Sequence, residues 1–230
     1  MEGTTFTVYR LLDMTEQEMG QALDLYTRTF TGDTYFKAKL GGDFSLLPIL
    51  GRASLRAALL EGYVYAAIED KHSDRIISMG IWFAPGTRPF ATEAQRSLGY
   101  EDWLKKLSPE AVNWNKHTVS DVKKRLLEPM FTAEELRKGW WCSSLFTDID
   151  HRRKGCARAI VNKVAKRASD ANEFLALITS LSNVLNYEAM GFEQRGTYIL
   201  PTLFGDIALY VLTRDDKKDQ THTHRDRLTS

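Results

Sequence analysis

A strand, a short basic loop and a helix follow one another between Trp140 and Ala168, and this order most constrains the fold. Trp140 to Thr147 is an extended apolar segment, and a helical pattern of apolar residues begins at Ala157. Between them, the basic loop ends at Gly155. The first amides of a helix lack partners within it and carry the positive end of its dipole, so they bind phosphate readily. Gly155 has no Cβ and lets the backbone approach such a ligand. The sequence therefore predicts an anion site at the start of this helix.

Two common phosphate-binding loops do not fit this segment. The P-loop requires a glycine, four further residues and then Gly-Lys-Ser/Thr. The dinucleotide fingerprint requires three glycines. Only Gly155 lies in this loop. The spacing that is present is Arg152-x-x-Gly155-x-Ala157, and Leu145-x-Thr147 precedes it at the end of the apolar segment.

A second strand and helix strengthen the pattern. Phe174 to Thr179 has the composition of a buried strand, and Ser180 to Asn183 can begin a helix. That helix ends in the run from Tyr187 to Phe192, which reads Tyr-Glu-Ala-Met-Gly-Phe. In order and separation, the loop and this run resemble the pyrophosphate-binding signature and the second acetyl-CoA motif of the GNAT superfamily of N-acyltransferases.

The resemblance covers residues 140–200, with Thr147 and Ile149 where family members often carry Val and Pro. It implies a mixed α/β fold, a central mixed sheet flanked by helices, with acetyl-CoA as acyl donor. The backbone amides of the loop would hold the pyrophosphate, and the main chain of the preceding strand would pair with the pantetheine arm as an added strand pairs with a sheet edge. The cofactor-binding residues implied are Leu145, Phe146, Thr147, Arg152, Arg153, Lys154, Gly155, Cys156, Ala157 and Asn183.

Each of these residues also has a simpler structural interpretation. The side chains of Leu145 and Thr147 fit a strand core, and Asn183 either contacts pantetheine or satisfies amides at the start of its helix. By resemblance, Tyr187 is the catalytic general acid at the departing CoA sulfur; otherwise it is a buried aromatic residue. The basic residues from Arg152 to Arg167 either attract CoA phosphates or form a solvated or nucleic-acid-binding face.

The general base is not assigned from the sequence. An amine acceptor must lose a proton before it attacks, and several polar side chains are chemically able to accept one. These candidates are Glu69, Asp148, Asp150, His151 and His117.

Length and pattern predict one domain with an insertion. With 230 residues and 43% apolar residues, the chain can build a single sizeable core. We expect an acetyltransferase domain over residues 1–213 with a helical insertion over 85–138, in which residues 94–107 form one helix. The insertion either builds an acceptor pocket or lid, or adds a packing layer. Residues 214–230 contain Leu228 as their single large apolar residue, which predicts a disordered tail.

The net charge and the cysteine content limit which partners, metal sites and compartments are expected. The formal net charge is +1, so neither nucleic acid nor membrane is expected as a partner, and a small amine is favoured over a strongly basic acceptor. Cys142 and Cys156 form no Cys-x-x-Cys pair, so no metal site is expected and reduced thiols in the cytoplasm are the simplest interpretation. The first residues lack a signal-peptide pattern, and no apolar run approaches the ~20 residues of a membrane span.

The sequence thus predicts an N-acetyltransferase in which an amine attacks acetyl-CoA directly within a ternary complex. Two alternatives stay open: a non-catalytic, regulatory acyl-CoA-binding module, and a nucleic-acid-binding protein that uses the basic helix. Five tryptophans are candidates for lining an apolar acceptor pocket, although core packing is their commoner role. They are Trp82, Trp103, Trp114, Trp140 and Trp141.

Overall fold

A computed structural model describes residues 5–70, 74–118, 121 and 125–217. Over these residues a seven-stranded mixed sheet has the order β1-β2-β3-β4-β5-β7-β6. Neighbouring strands are antiparallel, except that β4 and β5 run parallel. The strands are β1 (Phe6–Leu11), β2 (Tyr63–Glu69), β3 (Ile76–Phe83), β4 (Gly139–Thr147), β5 (Phe174–Ser180), β6 (Glu193–Leu200) and β7 (Ile207–Arg214).

The described helices connect the strands along the chain and pack against the faces of the sheet. They are α1 (Glu16–Phe30), α2 (Thr34–Lys39), α3 (Leu47–Glu61), α4 (Glu93–Ser97), α5 (Tyr100–Leu104), α6 (Pro109–Asn113), α7 (Ala133–Leu136), α8 (Cys156–Asp170) and α9 (Leu181–Glu188). Two short 3₁₀ turns, Phe44–Leu46 and Ile149–His151, and a π-helical turn, Trp114–Thr118, complete the helical structure. None of the helices in these ranges is long and apolar enough to cross a bilayer. The predicted mixed α/β class is confirmed.

Helices cover both faces of the sheet. On one face α1 and α3 share a buried core with the first four strands, and this core includes Tyr26, Leu50, Val64, Met79 and Phe146. On the other face α8 buries its apolar side against the same sheet; this core includes Ile77, Trp82, Ile160, Val164 and Leu175. The sheet is therefore sandwiched, and α8 enters directly from the end of β4 through the basic loop.

The insertion between β3 and β4 packs on the sheet. Trp114 and Phe131 belong to a third buried core together with Leu209 and Val211 of β7. The indole Nε1 of Trp114 also donates to the Pro201 carbonyl at 3.0 Å, which attaches the insertion to the loop after β6. These contacts are those expected if the insertion is an added packing layer.

Two sequence-based details need correction. The single helix expected over residues 94–107 is divided into α4 and α5 because Gly99 has φ +119°, a left-handed conformation that breaks the helical ladder. The expected tail begins one residue too early, since β7 ends at Arg214, whose guanidinium pairs with Asp216 at 2.7 Å. The remainder of the predicted tail, 218–230, lies outside the described residues, as do residues 119–120 and 122–124 of the expected helical insertion.

Candidate functional site

The two parallel strands at the centre of the sheet separate partway along their length. β4 and β5 pair at Gly139 with Phe174, Trp140 with Leu175, and Trp141 with Ala176. Beyond these three pairs β4 continues to Thr147 with β3 on its other side, so within the described strands its β5-facing edge carries no further ladder. A main-chain edge left open in the middle of a sheet is a site where an extended ligand can pair.

A bulge in β4 marks the point where the strands part. On the β3 side, Trp82 is opposite Cys142 and Ile81 is opposite Ser144, so Ser143 is the extra residue. A bulge bends its strand and increases the local twist. The bend accounts for the separation of β4 from β5 immediately after Trp141.

The basic loop leads from the open edge to the N-terminus of α8. Gly155 is the N-cap, and no side chain caps the helix. The first intrahelical bond runs from the Ala159 amide to the Gly155 carbonyl at 2.9 Å, so the amides of Cys156, Ala157 and Arg158 precede it. The tip of the loop, residues 152–155, is exposed. These features create an accessible group of helix N-terminal amides, the arrangement expected of an anion site.

Glycine is required in this loop by conformation. Gly155 has φ +90°, and a Cβ built on it would meet no protein atom within 4 Å. The sequence-based argument rested on the missing Cβ; within the protein, the left-handed φ is the stronger reason. Arg153 shares the left-handed region with φ +60°, so the loop turns sharply at two positions.

Residues 145–147 pack their side chains into the protein, on alternating faces. Leu145 is half-buried on the α8 side, and Phe146 is buried on the α1 side, 5.4 Å from the Tyr26 ring centroid. The Thr147 hydroxyl lies 2.8 Å from that of Ser78. The side chains therefore secure the strand, and the main chain is what faces the open edge.

Tyr187 lies on α9, on the same face of the sheet as Cys142 of β4. Its ring is half-buried and meets Phe192 edge to face, with centroids 5.6 Å apart. Burial raises the pKa of the Tyr187 hydroxyl above its ordinary range, and it likewise raises the pKa of the Cys142 thiol. Tyr187 is thus a protonated hydroxyl at neutral pH, on the α8 side of the sheet together with Cys142.

Asn183 is exposed near the start of α9. Ser180 is the N-cap, although its side chain makes no capping bond and instead lies 3.0 Å from the Ser182 hydroxyl. The N-cap position, which is one structural role expected for the residues from Ser180 to Asn183, is therefore taken by Ser180. Asn183 has its side chain available at the surface.

Of the five candidate bases, three meet in one place. Asp148 and His151, in the turn after β4, and Glu69, at the end of β2, are close together. Burial raises the pKa of Asp148, but the Asp150 amide, His151 and the Arg28 guanidinium together outweigh that effect and hold the pKa below its usual value. Asp150 and His117 are exposed, and Asp150 contacts this group through its amide, which donates to Oδ1 of Asp148 at 3.0 Å.

The basic residues further along α8 take part in intramolecular contacts. The Arg167 guanidinium lies 4.9 Å from the Tyr63 ring centroid, and Lys166 pairs with Asp170 at 3.4 Å. Arg158 and Lys163, which lie between these residues and the loop, are exposed.

A cleft of about 520 Å³ adjoins the end of β5. The turn between α1 and α2, the start of α9 and the loop between β6 and β7 form its walls. Asp33 and Asp206 contribute carboxylates and Lys37 an ammonium group, and the Lys37 Nζ lies 4.8 Å from the Phe204 ring centroid. The sequence reasoning missed these residues. The sequence feature that could have indicated this cleft is Phe204, an aromatic residue in the Gly- and Pro-containing turn 201–206.

The tryptophans do not line this cleft. Trp82, Trp103, Trp114 and Trp140 are buried core residues, with exposed fractions of 4% or less, and Trp141 is half-buried against Phe131. The expectation that tryptophans line an apolar acceptor pocket is wrong for these four buried residues. Their indoles fill the interior of the sheet and the insertion instead.

Comparison with solved structures defines the class of fold. Along 91% of this chain, a structure described as histone acetyltransferase HPA2 and related acetyltransferase from Corynebacterium glutamicum matches over 96% of its own length, with a TM-score of 0.59 and 16% identity. Arylalkylamine N-acetyltransferase 2 from Aedes aegypti matches with a TM-score of 0.58 and 14% identity, over 90% of this chain and 98% of its own. Ribosomal-protein-alanine N-acetyltransferase from Brucella melitensis matches with 0.54 and 14%, over 91% and 99%.

No family model and no curated protein sequence matches the chain. The structural matches nevertheless extend over nearly the whole chain and nearly the whole of each relative. The chain has the GNAT acetyltransferase fold, as the two motifs predicted. At these identities the likeness establishes the fold alone.

Proposed function

We propose that this chain is an N-acetyltransferase that transfers the acetyl group of acetyl-CoA to a small amine. One observation carries the proposal: the open edge of β4 leads through an exposed loop to the uncapped amides of α8. An extended arm that ends in a pyrophosphate matches this order of groups. In the proposed complex the amides from Arg153 to Ala157 hold the pyrophosphate, and the main chain of residues 145–147 pairs with pantetheine.

The same placement directs the thioester toward the bulge in β4. Asn183 lies on the α9 side of the open edge and would bond to the pantetheine amides. Tyr187 lies deeper on the same helix, on the face shared with Cys142. It is the proposed general acid at the CoA sulfur.

The reaction follows from these positions. The neutral amine attacks the thioester carbonyl carbon, and a tetrahedral intermediate forms as the carbonyl π electrons move to oxygen. On collapse the C–S bond breaks and the Tyr187 hydroxyl gives its proton to sulfur. The acetylated amine loses its extra proton to solvent or a nearby acceptor, and the Tyr187 phenolate regains a proton from solvent. Holding both reactants together provides much of the acceleration. No side chain is assigned as base, because the buried carboxylates and His151 lie beside the phosphate loop.

The acceptor is proposed to enter through the cleft beside β5. Asp33 and Asp206 give its walls two carboxylates against one lysine, which favours a cationic amine over an anionic one. The relatives named above act on a histone, an arylalkylamine and a ribosomal-protein alanine by their descriptions, so their acceptors differ from one another. The preference for a small amine rests on the limited volume of the cleft and on the near-neutral chain.

Two measurements test the proposal in sequence. Native mass spectrometry of the purified chain should detect retained CoA or acetyl-CoA. A panel of small amines, assayed by release of free thiol from acetyl-CoA, should then show amine-dependent turnover. Retained CoA without turnover on any amine would support the regulatory binding module instead, and salt-sensitive nucleic-acid binding that CoA does not compete would support the third alternative.

A further inference from the structure

An ionic cluster lies beneath the proposed phosphate loop; its carboxylates and histidine are largely buried, and the side chains of its two arginines are 61% and 48% exposed. It consists of Arg28, Glu69, Arg75, Asp148 and His151. Its members come from α1, from the end of β2, from the approach to β3 and from the turn that follows β4. Four elements therefore meet at the foot of the loop that leads into α8.

His151 and Asp148 are at its centre. The His151 Nδ1 lies 3.3 Å from Oδ1 of Asp148, and its Nε2 lies 3.5 Å from Oε1 of Glu69. Arg28 donates to Oδ2 of Asp148 at 3.2 Å. Arg75 lies 3.9 Å from that same oxygen and 3.7 Å from Oε2 of Glu69. Both ring nitrogens of the histidine thus face carboxylate oxygens.

This arrangement is costly as a source of stability. The side chains of Asp148 and His151 are 3% and 6% exposed, and that of Glu69 is 14% exposed. Oε2 of Glu69 is buried without a hydrogen-bond partner among the described residues. Buried ion pairs often contribute less to stability than apolar residues of the same volume would. A role in holding geometry accounts for the cluster better than a role in stability.

The cluster is connected directly to α8. The Asp148 amide donates to the Ile77 carbonyl of β3 at 2.9 Å, and the His151 amide donates to the Asp148 carbonyl at 2.9 Å. The Cys156 thiol, in the first turn of α8, lies 3.9 Å from the His151 carbonyl oxygen. His151 therefore stands between the sheet and the first residue of the helix.

We infer that His151, held between Asp148 and Glu69, is a positioning residue that orients the loop 152–155 and the first amides of α8 for the CoA pyrophosphate. The inference rests on the proposed function for its ligand. The His151 side chain is 6% exposed, and it acts through the main chain of the loop. Removing its links lets the loop relax, so the amides no longer converge on one anion.

The test compares three substitutions at His151 with a matched control. His151→Leu removes both polar links. His151→Asn keeps an amide near the Nδ1 position, toward Asp148, and His151→Gln places one near Nε2, toward Glu69. Val164→Ala shortens a fully buried side chain of α8 away from the cluster and serves as the stability control. Each protein is measured by thermal unfolding, by calorimetric titration with acetyl-CoA and by steady-state kinetics.

In metal sites, mutating a residue that orients the ligands typically lowers metal affinity 10- to 100-fold. Since His151 is proposed to orient binding groups in the same way, we expect a loss of acetyl-CoA affinity in this range for His151→Leu. Its Kd and its KM for acetyl-CoA should rise together, while the KM for the acceptor stays constant. His151→Asn and His151→Gln should fall between this variant and the parent. Val164→Ala should lose thermal stability but bind acetyl-CoA as the parent does.

The outcomes separate this inference from the proposed function. A parent protein that binds no acetyl-CoA would overturn the proposed function itself. A parent that binds, together with a folded His151→Leu or His151→Gln variant of equal affinity, would overturn only the positioning role. Equal losses of affinity in Val164→Ala and His151→Leu at equal loss of stability would also overturn it, because the effect would then come from stability alone.

Discussion

Tyr187 combines a polar group with a position near the open strand edge. Burial keeps its pKa above the ordinary tyrosine value, so the hydroxyl stays protonated through the neutral and mildly alkaline range. Its ring is held by Phe192, which does not depend on the hydroxyl. The hydroxyl can therefore be removed with little change in packing.

Tyr187→Phe should slow turnover and leave acetyl-CoA affinity nearly unchanged. General-acid assistance is typically large, but a thiolate with a pKa of about 8.5 is already a fair leaving group, so we expect a loss of roughly 10- to 100-fold in kcat. Steady-state kinetics and calorimetry on the same preparation provide the measurement. Turnover at the parent rate, under conditions where chemistry limits it, would assign Tyr187 a structural role.

Gly155→Glu should abolish acetyl-CoA binding. The substitution places a negative charge at the helix N-terminus where the pyrophosphate is proposed to lie, and the expected loss exceeds about 2 kcal/mol. Since Gly155 has φ +90°, the variant should also lose about 1–2 kcal/mol of stability from backbone strain. Denaturant unfolding and calorimetric titration measure the two effects separately.

Gly155→Asn is the matched control for that variant. Asparagine tolerates the left-handed region better than glutamate and carries no charge. It should retain measurable binding. If folded Gly155→Glu binds acetyl-CoA as tightly as the asparagine variant, the anion lies elsewhere.

Sequence motifs point to those residues of the candidate site that lie close together along the chain, but not to those that are far apart in sequence. Gly155 and Tyr187 belong to short motifs whose spacing can be read along the chain. Arg28 and Asp148 are 120 positions apart, and their contact depends on how α1 packs against the end of β4. Asp33 and Lys37 likewise share one cleft with Asp206 only because the start of α2 and the loop between β6 and β7 converge there. Periodicity and motif spacing contain no information on such contacts.

At the scale of elements, caps and strand patterns were the most reliable signals. The Thr-x-x-Glu spacing of Thr15 with Glu18, and of Thr132 with Glu135, is the sequence signature of a capping box, and both boxes are present. The apolar run from Tyr63 to Glu69 likewise matches the bounds of β2. The helix expected over residues 94–107 failed because apolar spacing does not reveal the left-handed φ of Gly99. The separation of β4 from β5 was not readable either, since it follows a one-residue register shift at Ser143.

The end of β7 gives a prediction at this scale. Arg214 donates to the Met190 carbonyl at 2.9 Å and to Asn162 at 2.8 Å, and Asp216 neutralises its charge. Deleting residues 218–230 should change neither the melting temperature nor acetyl transfer, because that segment contains almost no apolar side chain to bury. Deleting residues 215–230 should cost at most about 1 kcal/mol, the value of a partly exposed ion pair.

Thermal unfolding and the thiol-release assay on both truncated chains provide the comparison. A large loss of activity on removing 218–230 alone would show that this segment acts at the acceptor site.

At the scale of the whole molecule, the fold and the chemistry have different determinants. The chain shares 14–16% identity with the three solved structures named above, yet each match extends over about nine-tenths of its length. A sheet with one open interior edge and a helix at its end can be built by many sequences. Under the proposed function the walls of the cleft select the acceptor, and part of these walls comes from loops, where sequence varies most readily.

The most direct test of the central claim is a calorimetric titration of the purified chain with acetyl-CoA. The open edge of β4 and the uncapped start of α8 predict a single site with a Kd in the micromolar range, on the order of −7 to −8 kcal/mol. The affinity should weaken as salt rises, because the loop is basic and exposed. Absence of both heat and thermal stabilisation at millimolar acetyl-CoA would contradict the assignment.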